Sequence, residues 1–167
     1  MQNILQGDFF NPTCGNLSID EVQKEITHYI AEKPEKFYDI IVGCDSSSSS
    51  EPNFPLAIVI LRVGEGGRFF LKMINYHELR KFYGWHQRIL EEVLLSCELA
   101  LHLRESLKKQ MPSSFKWQFV YIHADVGENG VTKNMIKEVT GLIRGNGFEP
   151  KIKPESFAAS NVADRYS

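Results

Sequence analysis

Four acidic residues stand where they could do chemistry: Asp45, Glu92, Asp125 and Asp164. Asp45 ends the apolar run Ile40-Ile41-Val42-Gly43-Cys44, and Asp125 ends Tyr121-Ile122-His123-Ala124. An acid at the end of a buried strand costs free energy unless it is hydrated, paired or bound to a cation. Each also has a plainer reading as a turn-forming aspartate, before serines in one case and before Gly127 in the other. Clustered carboxylates repel and raise one another's pKa values unless a cation neutralises them. Hard oxygen ligands suit Mg²⁺ or Mn²⁺. One or two such ions, about 4 Å apart if two, activate a water and stabilise the leaving oxygen of a phosphodiester.

The long helical stretch from about Tyr83 to Gln110 offers Glu91, Glu92 and Glu98. Ile89, Val93, Ser96, Ala100, Leu103 and Leu107 mark its apolar face. Glu91 and Glu98 fall on the opposite, solvated side with Gln87 and Glu105. Glu92 falls on the flank of the apolar face, so it is the preferred helix ligand and Glu91 the fallback. Asp164 follows Ala158-Ala159-Ser160-Asn161-Val162-Ala163, and periodicity alone reads it as a surface aspartate. His123 reads first as a packed histidine, with general base, ligand or partner of Asp125 as the other roles.

These residues need a frame. Ser18 and Glu21 form a capping box opening a helix to about Ala31, with Ile19, Val22, Ile26 and Ile30 on one face. Tyr38 to Cys44 and Pro55 to Val63 read as strands, and Gly64-Glu65-Gly66-Gly67 as the hairpin into a third, Arg68 to Tyr76. Phe115 to His123 is the fourth strand. Val131 to about Arg144 is a helix stopped by Gly145-Asn146-Gly147, Phe148 to Ile152 the fifth strand, and Ser156 to Tyr166 a last short helix. The first ten residues read as irregular and Asn11-Pro12-Thr13 as a turn. The expected fold is α/β, a mixed five-stranded sheet with three antiparallel strands, then two parallel ones, and helices on both faces. The first strand is expected at the centre, the third at one edge. Asp45 and Asp125 then lie at C-terminal strand ends beside a switch in connection, where ligands bind.

The 167 residues allow one domain, 1–167, with its core from about 37. A net charge of −2 argues against a non-specific nucleic-acid coat but permits an enzyme touching a few phosphates. No apolar run is long enough for a membrane span and no signal peptide is evident. Three scattered cysteines, Cys14, Cys44 and Cys97, suggest neither a disulfide framework nor a zinc site and point to the cytoplasm.

Val42-Gly43-Cys44-Asp45-Ser46, His123 to Gly130 and above all Lys153-Pro154-Glu155-Ser156-Phe157-Ala158-Ala159-Ser160-Asn161-Val162-Ala163-Asp164-Arg165-Tyr166 resemble the YkuK-type RNase H-like proteins of bacteria. The similarity runs from about Phe10 to the end. It implies an RNase H-like fold and an Mg²⁺-dependent nuclease site in which Asp45, Asp125 and Asp164 match the family's acids. Glu92 holds the long-helix position by phase. One departure is Gly43-Cys44-Asp45-Ser46-Ser47 in place of the family's Gly-Thr-Asp-Ser-Gln. The implied partner is nucleic acid (RNA, an RNA–DNA hybrid or structured DNA), with a catalytically silent binding module as the alternative. A nucleotide-binding protein of the actin-like class is disfavoured, since no second phosphate-binding loop is present. Lys153, Arg165, His123 and Ser46 are the candidates for substrate contact. Tyr83, Trp85 and His86 could stack on bases, but anchoring the long helix to the core is the expected role.

Overall fold

In the computed structural model, which describes residues 3–156, the capping box forms as expected. Glu21 N donates to Ser18 Oγ at 3.2 Å and Ser18 N to Glu21 Oε1 at 3.3 Å. They open helix α1 (Ile19–Glu32), which buries Val22, Ile26 and Ile30. Arg62 ties its end to the sheet. The guanidinium lies over the Tyr29 ring at 4.1 Å, donating to Tyr29 O and Tyr38 Oη at 2.9 Å each.

The three antiparallel strands are β3 (Phe37–Cys44), β4 (Asn53–Arg62) and β5 (Gly66–Asn75). Gly64 and Gly66 take φ of 88° and 96° in the β4–β5 turn, a conformation that favours glycine. Helix α2 (Trp85–Gln110) follows, then β6 (Lys116–Gln118), β7 (Tyr121–His123), a 3₁₀ turn at Val131–Met135, helix α3 (Ile136–Gly145) and β8 (Glu149–Lys151).

Two features differ from expectation. Phe9–Asn11 (β1) and Gly15–Leu17 (β2) form a hairpin rather than irregular chain, so the sheet order is β2-β1-β5-β4-β3-β7-β8 and β5 is not an edge. Asn11 explains it. Its Nδ2 donates to Phe69 O at 2.9 Å on β5, while its Oδ1 accepts from Thr13 N and Cys14 N at 2.8 and 2.9 Å, closing the turn read from the sequence. The second difference is that the expected fourth strand is split. β6 pairs with β3 as Phe37↔Lys116, and β7 as Val42↔Ile122, both parallel. The offset grows by one residue, so one extra residue bulges between the two halves. There Phe119 is buried against Phe148, ring centroids 5.7 Å apart.

Tyr38, Ile40, Val42 and Cys44 of β3 and Phe54, Leu56, Ile58 and Ile60 of β4 share one core with the three α-helices of the described residues. The opposite face carries smaller clusters around Ile41 with Val59 and Ala57 with Leu71. The segment expected as the last helix lies outside the described residues from residue 157 on. None of the described helices is long and apolar enough to cross a membrane.

Candidate functional site

β3 and β7 are adjacent and parallel, so their C-terminal ends coincide. The β3–β7 pairing ends at Gly43↔His123, two residues before Asp45 and Asp125, so the two acids follow the ends of neighbouring strands, which lie about 4.8 Å apart. Both are half-buried. β8 continues the pattern: His123 pairs with Lys151, which brings Lys153 beside Asp125. Its Nζ lies 2.7 Å from Asp125 Oδ1. The Asp125 carboxylate, then the charges of Asp45 and Glu92, raise the Lys153 pKa against the opposing effect of burial. Gly127 makes this approach possible, since a Cβ there would stand 2.9 Å from Lys153 Cβ. A cavity of about 490 Å³ opens between the Gly127–Asn129 loop and Ile152–Glu155.

Glu92 reaches the same sheet end from α2. It is 4 % exposed, and its Oε1 accepts from Ser46 N at 2.7 Å and Ser46 Oγ at 2.6 Å. Ser46, a candidate for substrate contact, is thus spent on holding Glu92. The other oxygen, Oε2, is buried with no hydrogen-bond partner. Burial pushes the Glu92 carboxyl up to about 8; the Ser46 bonds oppose this, and the charges of Asp45 and Asp125 add to it. Three acids from three elements thus share one electrostatic field.

Glu91 is not the solvated residue that helical phase suggested. It is 7 % exposed, with Arg80 Nη1 on its Oε2 and Tyr76 Oη at 3.1 Å from its Oε1. The Tyr76–Arg80 segment folds over that side of α2 and covers it, a contact no periodicity reports. Glu91 is therefore occupied with an arginine, whereas Glu92 lies in the field of Asp45 and Asp125. His123 is buried on β7. Burial, then the charge of Lys151, pushes its imidazole down to about 4, so it is neutral at pH 7. Cys44, between the acids and the core, has its thiol pKa raised by burial and then by Glu92 and Asp45, which leaves it unreactive.

Among the described residues no three His, Cys, Asp or Glu side chains form a group that could hold a metal ion. Asp164 and Arg165, two of the residues singled out from the sequence, lie outside the described residues. Sequence reading missed the role of Gly127, whose only signal was a glycine following an acid, and the anchoring of Glu92 by Ser46. It also missed the Arg80–Glu91 pair. Tyr83 and Trp85, expected to anchor α2, do not: they are 80 % and 36 % exposed, and Phe82 at 2 % takes that role against Phe54 and Tyr76.

Against known proteins, the chain is 28 % identical over 167 residues to "Uncharacterized protein YkuK" of Bacillus subtilis (strain 168), with 95 % of this chain and 96 % of that protein covered. No solved structure matches it. The model of the family described as Ribonuclease H-like matches residues 21–167. With that match over most of its length, and a mixed sheet in which β3 has an antiparallel neighbour on one side and parallel neighbours on the other, the chain belongs to the Ribonuclease H-like family.

Proposed function

We propose that this protein is a divalent-metal-dependent nuclease that hydrolyses phosphodiester bonds in RNA, an RNA–DNA hybrid or structured DNA. The observation that carries the reading is Glu92, a buried carboxylate with one oxygen unpartnered, in the field of two more acids at adjacent strand ends. Such an arrangement is costly without a cation, and the Lys153 ammonium already at Asp125 is in keeping with that need. Asp45, Glu92 and Asp125 are donors of the type that Mg²⁺ or Mn²⁺ takes; among the described residues they do not by themselves form a metal-holding group, and in this reading Asp164, added by the family motif, completes the set. One or two such ions, when bound, would supply an activated water and stabilise the leaving oxygen. The chain's own part is to hold these oxygens in place. Ser46 fixes Glu92 by two hydrogen bonds, and the β3–β7 pairing brings Asp45 and Asp125 to adjacent strand ends. Lys153, half exposed at the rim, and Arg165 are placed in this reading on substrate phosphates. Nucleic acid is the partner class typical of the Ribonuclease H-like family, and a reducing cytoplasm suits the free Cys14, Cys44 and Cys97.

A second reading, a catalytically silent nucleic-acid or protein binding module, is favoured by one observation. The Lys153–Asp125 pair gives the acids an internal cation that needs no metal. A panel of RNA, hybrid, single-stranded and branched DNA, incubated with Mg²⁺ or Mn²⁺, separates the two. Cleavage abolished by Asp45→Asn supports the nuclease; intact substrates throughout, with Mn²⁺ still bound by the protein, leave the binding module.

A further inference from the structure

The segment before α2 carries aromatic rings that the fold does not use. Phe82 enters the core and is held by its N–H donating to Ser50 O at 2.9 Å. Its neighbours point outward: Tyr83 is 80 % exposed and Trp85 36 %, and Lys81 and His86 are exposed as well. Helical phase relates this patch to the acids. Trp85 precedes Glu92 by seven residues, so the two fall on one stripe of α2, with Trp85 about 10 Å nearer the helix start at 1.5 Å per residue. Glu92 meets Ser46 just past the end of β3. Arg88 lies between, donating to Ser47 O at 3.0 Å. Arg80 is engaged with Glu91 and His86 with Glu138, which leaves, among the described residues, the exposed Lys81 and the half-buried Arg88 as the nearby cations outside any ion pair.

We propose that Tyr83 and Trp85 form a stacking platform for unpaired bases, with Lys81 and Arg88 facing the phosphates, so that the protein selects single-stranded or locally unpaired nucleic acid. The proposal rests on the nuclease reading for the position of the bond to be cut. Single-strand binders combine cations that track the backbone with aromatic side chains on which bases stack. Duplex cannot offer the face of a base without unstacking it. The 10 Å between Trp85 and Glu92 corresponds to about three stacked nucleotides at about 3.4 Å each. A strand stacked on the platform would then pass its backbone over Arg88 and the serine loop towards the acids.

Binding is measured in EDTA, without cleavage, by the anisotropy of fluorescein-labelled 12-nucleotide oligouridylate and oligothymidylate and of a duplex of equal length. The single strands are expected to bind at least about tenfold more tightly than duplex. Trp85→Ala and Tyr83→Ala, both at exposed positions, should each weaken binding about five- to a hundredfold, while Trp85→Phe keeps most of the affinity. Oligonucleotide should quench the fluorescence of wild type but not of Trp85→Phe, whose remaining tryptophan is Trp117. Binding of either alanine variant within twofold of wild type, duplex bound as well as single strand, or no binding by wild type overturns the platform. So does a Trp85→Ala variant that keeps its oligonucleotide affinity but loses self-association in sedimentation, which would make the patch a protein contact. Ring-dependent binding without metal-dependent cleavage would instead sink the nuclease reading and leave the platform standing.

Discussion

Replacing Glu92 by glutamine separates the cost of a buried charge from everything else at the site. The glutamine carbonyl can still accept the two Ser46 hydrogen bonds that now reach Oε1. Its amide takes the place of the unpartnered Oε2, a penalty of about 1–3 kcal/mol that does not depend on pH. The carboxyl it replaces titrates at about 8 in the folded protein rather than at 4.5. Because the folded value is raised, the folded state keeps a proton that the unfolded chain releases above about pH 4.5. Wild-type stability relative to Glu92→Gln should therefore fall between pH 4.5 and about 8 and level off above. At about 1.4 kcal/mol per pH unit the whole window amounts to roughly 5 kcal/mol, of which more than half lies between pH 5 and 7. Urea denaturation of both proteins in EDTA, from pH 5 to 8.5, measures the difference directly. A difference that stays flat within 1 kcal/mol over that range would refute the argument, because Glu92 would then be ionised and solvated like an ordinary glutamate. Saturating Mn²⁺ should oppose the fall, since bound metal requires the deprotonated form.

Two other perturbations test the neighbours of Glu92. Mn²⁺ at a hundred times its Kd should stabilise the protein by about 2.7 kcal/mol, roughly 5–10 °C in Tm for a chain of this size, and Asp125→Asn should remove most of the rise; a melting curve indifferent to Mn²⁺ counts against the acids as ligands. Gly127→Ala places a Cβ 2.9 Å from Lys153 Cβ, so it should cost about 1–3 kcal/mol by overpacking in urea titrations, and an unchanged midpoint would show that the Lys153 strand gives way freely.

Much of this molecule is written locally. The capping box of α1, the β-branched run of β3, the glycine hairpin between β4 and β5 and the apolar stripe of α2 each follow from neighbouring residues, and each forms within two residues of its expected bounds. Asp45 and Asp125 were legible for the same reason: each ends an apolar run, and strand ends carry polar groups. Glu92 was legible by phase alone, and its rival Glu91 was misread because the residue that covers it, Arg80, comes from outside the helix.

What the tertiary structure decided are pairings between distant residues. Whether Asp125 shares a face with Asp45 depends on the extra residue between β6 and β7. Had the β6 register Phe37↔Lys116 continued, Asp125 would align with Ser46 instead, and a one-residue slip reverses every side chain. The hairpin of β1 and β2 is too short to show a period, and it exists because Asn11 reaches Phe69 on β5. Tyr83 and Trp85 look like core residues in sequence. They stay outside because Phe82 fills the space against Phe54 and Tyr76. Local chemistry thus names the acids and the elements that carry them, whereas long-range packing sets which side chains meet, because only the folded chain brings their surfaces within contact distance.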